Sequence, residues 1–339
     1  MHHLRSILLA SAMVAVTFPA LAQTRPQVAV EFEGPIQSID SNGQGGIALV
    51  VNGIKVDIPA STISAGNVHT PTTKLMTPDL IESRNPFPGL NKEGFRGGTA
   101  IVIGNSHSLG VTAEDVFLEP AENVILGAVT ANSDGKFEVE GVPVVLLPPA
   151  SGGTSYPPGA VTTPDPRLPG LPMKNELGLT IKPENVEQYA EAALEGYFGS
   201  NGTFYAFSID SVSEVADPSP TATILRAQCR VRSATQIEWE IRGGTYPWAA
   251  GATVSILPPP PPATPTVPAT PVYNGNRAYS TNVAVQQDTV DLNAGAFRYT
   301  ARPTVTATTN GGSACPPTVL VKYNQYPNAP AASASVEIR

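Results

Sequence analysis

The sequence has few of the side chains that catalysis and metal binding require. Of its four histidines, only His69 and His107 lie beyond the first few residues, and its two cysteines, Cys229 and Cys315, are far apart. No C-x-x-C, H-x-x-x-H or H-E-x-x-H spacing occurs, so the sequence predicts no zinc site. It also has no G-x-x-x-x-G-K-S/T phosphate loop and no G-x-G-x-x-G opening a helix. We therefore predict no metal and no cofactor.

Charge and aromatic residues are also scarce. Charged residues make up 14% of the chain, against about 25% in typical globular proteins, and aromatic residues make up 6%, which limits surfaces for stacking. The chain has 30 glycines and 35 prolines, yet 41% of its residues are hydrophobic, enough for packed cores. Its net charge of −8 argues against nucleic acid or an anionic membrane surface as partner.

The N-terminus resembles a secretory signal peptide over residues 1–22. A short basic start precedes an apolar run from Ser6 to Phe18, and Ala20-Leu21-Ala22 forms a cleavage site. The apolar run is shorter than the roughly 20 residues that span a bilayer, and no second such run follows, so no membrane span is predicted. We expect a periplasmic or extracellular protein.

The cysteine pair has two interpretations in that setting. In an oxidising compartment, two cysteines favour one disulfide, Cys229–Cys315. The long loop that it closes would contribute about 4–5 kcal/mol in the chain-entropy model. The alternative is two buried free thiols.

A repeated pattern of strands and turns organises the first two thirds of the chain. The stretch 34–58 reads as three strands joined by turns at Asn42-Gly43 and Asn52-Gly53. A shorter form returns over 127–147, with Asp134-Gly135 as a turn. A second pair of similar stretches, 98–118 and 191–209, aligns Gly104 with Gly196. Each repeat is thus a three-strand meander followed by a two-strand hairpin, the strand count of an OB-type barrel.

These repeats predict an all-β chain of three domains after the leader. The first OB-like five-stranded barrel spans 23–120 and the second spans 121–216. Residues 217–339 contain short strands typical of an antiparallel, immunoglobulin-like sandwich. A proline-rich loop at 258–271 favours polyproline II, and the C-terminal tail alternates enough to add an edge strand.

A long insertion interrupts each barrel. The first, over 61–96, contains a predicted helical turn near Pro78 to Glu82, with Thr77 as its cap. The second runs from Pro148 to Asn175 and has no apolar period, so we predict an extended, mobile loop. One or two helical turns are expected from Pro183 to Tyr189. Any ligand specificity is expected in these two insertions.

Candidate catalytic groups have simpler interpretations. Ser106-His107 resembles a nucleophile elbow, but no histidine follows His107, so a hairpin turn is favoured. His69 and Asp115 fit the chain order of a serine-protease triad, yet no sequence context marks a nucleophile, and an exposed loop histidine is favoured. The acids Glu114, Asp115, Glu119 and Glu122 form a surface patch, or a weak cation site between the barrels.

Aromatic residues offer the candidate binding surfaces. Tyr197 and Tyr205 lie in an aromatic hairpin of the second barrel, whose period of two favours core packing over a ligand groove. Tyr246 and Trp248 flank Pro247 in the third domain, where the rings could face outward or pack over the end of the sandwich.

Turn and core residues of both barrels resemble a family of small OB-like β-barrel domains of exported bacterial proteins, a family of unknown function. The resemblance covers about 28–120 well and 121–216 less well, and the third domain lies outside it. It implies the barrel fold and supplies no functional residues. The residues that carry it are Gly34-Pro35-Ile36-Gln37-Ser38-Ile39, Asn52-Gly53-Ile54-Lys55-Val56, Val102-Ile103-Gly104 and Ala113-Glu114-Asp115-Val116.

The sequence therefore favours a non-catalytic exported protein that acts as a structural or binding β module at the cell envelope. Its expected partner is an envelope protein or a glycan, and not nucleic acid. The alternatives are a secreted glycan-binding protein and, less favoured, an envelope hydrolase.

Overall fold

The computed structural model describes residues 27–233, 235–258, 273–274, 279–305 and 315–338. Strands account for 51% of the described residues and helices for 5%, which confirms the all-β prediction. The predicted signal peptide at 1–22 and most of the proline-rich loop at 258–271 lie outside the described residues.

The first sheet closes into a five-stranded barrel. β1 pairs with β2 and with β5, β2 pairs with β3, and β5 pairs with β6. The parallel pairing of β3 with β6, from Val56 opposite Val111, completes the barrel, and β4 runs beside β6. The elements are β1 Val28–Ser41, β2 Ile47–Val51, β3 Ile54–Ile58, α1 Ala60–Ser64, β4 Val68–His69, α2 Pro78–Glu82, β5 Thr99–His107 and β6 Gly110–Glu119.

The second sheet repeats this arrangement as a closed barrel in the order β10-β11-β9-β8-β7. Its parallel closing pair is β9 with β11, where Val144 lies opposite Phe204. A single 3₁₀ turn at Pro183–Asn185 forms where one or two helical turns were expected. The strands are β7 Asn123–Ser133, β8 Lys136–Val139, β9 Val142–Leu146, β10 Glu191–Phe198 and β11 Phe204–Ser211. The two predicted five-stranded barrels are thus confirmed, and their shared pairing order is consistent with OB-like folds.

Two-residue turns with positive φ join several of these strands. Asn52 and Gly53 have φ of 49° and 81°, and Asp134 and Gly135 have 54° and 74°, as a type I′ turn requires. Asn42-Gly43 lies in the turn between β1 and β2 as predicted, but this turn is a wider loop, because the chain leaves β1 at Ser41 and enters β2 only at Ile47. The side chain of Asn42 accepts hydrogen bonds from two backbone amides and closes this wider loop itself.

The aligned glycines of the two hairpins occupy equivalent positions. The register shifts between Ile103 and Gly104 in β5, and between Glu195 and Gly196 in β10. A Cβ atom would come within 2.2 Å of a carbonyl oxygen of the next strand at either glycine. Both bulges therefore need a residue without a side chain.

The third domain is one continuous sheet that closes nearly on itself. β17 pairs with β18 on one side and with β15 on the other. It thereby connects by hydrogen bonds the two sheets that would be separate in a sandwich. The C-terminal tail adds the predicted edge strands. The strands are β12 Thr221–Ala222, β13 Arg226–Ser233, β14 Gln236–Tyr246, β15 Thr253–Leu257, β16 Tyr273–Asn274, β17 Ser280–Gln287, β18 Gly295–Ala301, β19 Thr304–Val305, β20 Thr318–Tyr323, β21 Ala332–Ser335 and β22 Glu337–Ile338.

The predicted disulfide is present in this domain. Cys229 and Cys315 are bonded, with their Cα atoms 5.9 Å apart and 86 residues between them in sequence. Cys229 lies directly opposite Trp239 in the β13–β14 pair, and both side chains are fully buried. The bridge therefore crosses the centre of the third core.

Candidate functional site

Tyr197 and Tyr205 of the aromatic hairpin pack against the hydrophobic core of the first barrel. Tyr197 is fully buried, and its hydroxyl donates a hydrogen bond to the Pro88 carbonyl at 2.9 Å. Burial raises the pKa of Tyr197 well above its usual range, so the hydroxyl stays a donor. Its ring stacks on half-buried Tyr205, with centroids 5.5 Å apart. The favoured core interpretation is therefore confirmed for Tyr197, and its ring has no free face for a ligand.

The two insertions pack against each other. From the second insertion, Arg167 donates hydrogen bonds to the Asn85 carbonyl at 2.8 Å and to both carboxylate oxygens of Asp165. Its guanidinium also lies 4.0 Å from the centre of the Phe87 ring. Arg167 is 3% exposed, so a charge from one barrel is buried against a loop of the other.

The interior of the second barrel forms its own hydrophobic cluster, whereas the core of the first barrel extends to residues of the second domain. Phe87 and Phe95 from the first insertion pack in it with Leu168 and Tyr197. Arg167, Leu168 and Met173 of the second insertion are buried, whereas most of 150–166 is exposed, and the mobility predicted for this insertion stays a prediction. Ligand specificity in the insertions stays a prediction.

Ser106 and His107 form the end of a hairpin. His107 pairs with Gly110 across the β5–β6 turn, and its Nδ1 accepts a hydrogen bond from the Leu109 amide at 3.3 Å. Ser106 Oγ donates to the Val28 carbonyl at 3.2 Å. Both side chains thus bond to backbone groups rather than to each other, and the hairpin interpretation is confirmed.

His69 and Asp115 do come together. His69 Nε2 lies 3.0 Å from Asp115 Oδ1, and the His69 ring meets the edge of Phe117. His69 belongs to β4, paired with β6, rather than to the exposed loop that we expected. Within the described part of the chain, no hydroxyl is hydrogen-bonded to this histidine. The pair therefore lacks an adjacent nucleophile there.

The acidic cluster divides between two places. Asp115 faces His69, and Glu114 accepts a hydrogen bond from Asn105, so neither lies with Glu119. Burial raises the pKa of Glu119 to about 7, with further contributions from the nearby carboxylates Glu122, Glu195 and Glu33. Among the described residues, no three acidic, histidine or cysteine side chains are arranged to hold a metal ion.

Tyr246 and Trp248 are half-buried at the junction of the second and third domains. Tyr246 packs against a small cluster that includes Leu177 and Leu179 of the second barrel. Trp248 packs on the third core, and its ring lies so close to Gly295 that a Cβ there would be 2.7 Å from Trp248 Cδ1. Neither ring stands free, and ligand binding by either one stays a prediction.

The third domain concentrates arginines on the outer side of three neighbouring strands. In β13, β14 and β18, Arg226 lies opposite Arg242, which lies opposite Arg298. The residues beside them in sequence, Ala227, Ile241 and Phe297, are buried, so the arginines point away from the core. We call this surface the arginine face. It comprises Arg226, Arg230, Arg232, Arg242, Arg298 and Arg302.

Acidic residues neutralise only part of the arginine face. Arg298 pairs with Glu240 at 3.0 Å, while Arg232 and Arg302 share Glu238. These arginines lower the pKa of Glu238, mainly through the Arg232 hydrogen bond. Arg226, Arg230 and Arg242 have no carboxylate within ion-pair distance among the described residues. Like charges directly opposite each other destabilise a strand pair, so the row of three arginines opposes sheet stability.

A groove of about 650 Å³ runs beside this row. Arg242, Arg298 and Phe297 form one wall, from the third domain, and Glu176 and Leu177 of the second barrel form the other. Asp288 also lines the groove, but its carboxylate accepts hydrogen bonds from the Val290 and Asp291 amides. The groove therefore presents two arginines side by side.

Sequence reasoning missed the arginine face, although a signal for it was present. The stretches 222–233 and 236–244, which read as strands, place arginines on alternating positions, as in R-A-Q-C-R. Period-two alternation puts such residues on one face of a strand. Which strands lie side by side, and in which register, cannot be deduced from that alternation.

No protein-family model matches this chain, and no curated protein matches it. None of the helices that the structure describes is long and apolar enough to cross a membrane. The resemblance to exported OB-like domains therefore rests on the two barrels and their turn residues, and membership of that family stays a prediction.

Proposed function

We propose that this protein is a non-catalytic, exported β module of the cell envelope that binds a ligand or partner through its third domain. The observation that carries the proposal is the row Arg226, Arg242 and Arg298 beside a groove. Three like charges in register oppose sheet stability. A bound anion would offset that cost, so the arrangement suits binding.

Packing of the modules supports a binding scaffold. The insertions share a core between the barrels, and Leu177 and Leu179 of the second barrel pack against the third domain. These contacts hold the domain that carries the arginine face in place. A rigid binding surface lowers the entropic cost of binding.

Two features support export. A disulfide is most stable in an oxidising compartment, and residues 1–22 resemble a signal peptide. Mass spectrometry of the protein purified from the native cells should show a chain beginning after Ala22. A chain that retains residues 1–22 would contradict export by this route.

The rival function is an envelope hydrolase that uses His69 with Asp115, or Ser106 with His107. A screen of ester, peptide and glycoside substrates with the wild type and with His69→Ala, Ser106→Ala and His107→Ala tests it. We expect no activity above that of a mock purification. Activity that any of these substitutions abolishes would contradict the non-catalytic proposal.

A further inference from the structure

We propose that the arginine face binds an acidic polysaccharide, whose carboxylate or sulfate groups lie along the row Arg226, Arg242 and Arg298. This inference rests on the proposed function and names its ligand class. The six arginines of the face outnumber Glu238, Glu240 and Glu337 by three, and they still outnumber the acids by one when Glu176 and Asp288 of the groove are included, although the whole chain has a net charge of −8. The face is thus positively charged, although the protein as a whole is negatively charged.

The side-chain chemistry favours oxygen anions of planar or tetrahedral shape. All six cations of the face are arginines, and no lysine lies among them. An arginine guanidinium presents a rigid fork of N–H donors that matches carboxylate, sulfate and phosphate groups, whereas lysine acts as a point charge. Among the residues that the structure describes, Arg242 has no carboxylate partner and Arg226 bonds only to the neutral Gln228, which leaves donors of both for a ligand.

The spacing favours a polymer over a single small anion. Opposite residues of neighbouring strands are separated by about 5 Å, so the three arginines form a row roughly 10 Å long. Arg230 and Arg232 extend the cationic surface along β13. A chain with regularly spaced acidic groups can contact several of these arginines at once, which adds their contributions through multivalency.

The surroundings of the row disfavour other anionic partners. The wall formed by Glu176 and Leu177 keeps a flat membrane surface from the arginines in the groove. The chain's negative net charge opposes every long polyanion beyond the face, so duplex DNA is compared directly with the acidic polymers in the test. An acidic peptide could not add a strand here, because β14 and β18 are both paired on their two sides. A polysaccharide needs no strand edge.

The test measures binding of the mature protein to polygalacturonate, to dextran sulfate and to neutral dextran of matched length, by calorimetry at several salt concentrations. We expect binding to at least one acidic polymer, none to neutral dextran, and an affinity that falls as salt increases. Binding to polygalacturonate alone would identify carboxylates as the recognised groups, and binding to dextran sulfate alone would identify sulfates. No binding to either acidic polymer would overturn the inference.

Substitutions test whether the polymer binds at the row of arginines. Arg242→Gln should weaken binding about tenfold, the effect of losing hydrogen bonds between charged groups, and Arg242→Lys should lie between it and the wild type. The matched control is Arg84→Gln, which removes an exposed arginine of the first barrel with two carboxylate partners. Equal losses in Arg84→Gln and Arg242→Gln would refute a site at the row, as would tighter binding to duplex DNA or to anionic lipid vesicles than to either polymer.

The same samples separate this inference from the proposed function. After long incubation, polymer length is measured from its reducing ends. Shortening of the polymer by wild-type protein would contradict the non-catalytic function while leaving the binding site supported. Absence of both binding and shortening would refute the ligand class and leave the non-catalytic function standing.

Discussion

Replacing Arg167 with methionine should destabilise the two barrels by about 3 kcal/mol. The substitution removes two hydrogen bonds to Asp165, at 2.9 and 2.6 Å, and one to the Asn85 carbonyl at 2.8 Å. It leaves the Asp165 carboxylate, whose side chain is only 14% exposed, without its cation. Breaking a buried pair from one side costs about 3–5 kcal/mol, and the slight exposure of Asp165 favours the lower end.

A double variant distinguishes loss of this pair from loss of packing. In Arg167→Met with Asp165→Leu no buried charge is left behind, so the cost should fall to about 1 kcal/mol, about 2 kcal/mol less than for Arg167→Met alone. Exposed Arg84 serves as the control, and Arg84→Met should leave the midpoint of unfolding nearly unchanged.

The assay is urea unfolding followed by two signals. Far-ultraviolet circular dichroism reports on all three domains, whereas both tryptophans of the chain, Trp239 and Trp248, lie in the third domain. Arg167→Met should shift the dichroism transition more than the tryptophan transition. A cost below about 1 kcal/mol, or a double variant as unstable as the single one, would refute the account of the buried pair.

Three further perturbations have defined outcomes. Gly196→Ala should destabilise the second barrel, because its Cβ would lie 2.2 Å from the Tyr205 carbonyl oxygen; a melting temperature equal to that of the wild type would contradict the account of the bulge. Burial raises the pKa of Glu119 in the folded protein to about 7, so the folded state favours the protonated carboxyl. The stability that this protonation gives is fully present below about pH 4.5 and is lost as the pH rises through 7. Allowing for its partial exposure, wild-type unfolding free energy should fall by about 1–2 kcal/mol between pH 5 and 8, and Glu119→Gln should remove most of that fall; an unchanged pH dependence in the variant would refute it. Reduction of Cys229–Cys315, which closes a loop of 86 residues, should lower the stability of the third domain by about 4–5 kcal/mol and raise the mass of the intact protein by two hydrogens; tryptophan-monitored unfolding that is insensitive to reductant would contradict this.

The repeated barrels could be predicted from the sequence because local chemistry encodes them. Positive φ at Asn52-Gly53 and Asp134-Gly135 calls for residues that tolerate the left-handed region. The glycines at the two bulges recur because no side chain fits there. Such constraints act within a few residues, so they remain visible in a single sequence.

The packing of the insertions could not be predicted in the same way. Arg167 bonds to Asn85, 82 residues earlier in the chain, and neither lies in a periodic segment. Proline-rich chain without apolar alternation is typical of solvated loops, yet here it covers a core. The row of three arginines could not be predicted for the same reason. Its members come from strands up to 72 residues apart in sequence, and only the strand register places them side by side.

Native-state hydrogen exchange tests most directly whether the insertions join the barrels into one cooperative unit. The slowest amides of β2 and β8 are compared in the wild type and in Arg167→Met. The account predicts similar opening free energies for both strands in the wild type, and an equal decrease of about 3 kcal/mol in both in the variant. Different opening free energies in the wild type, with a decrease confined to β8, would show that the barrels open independently and would contradict the claim.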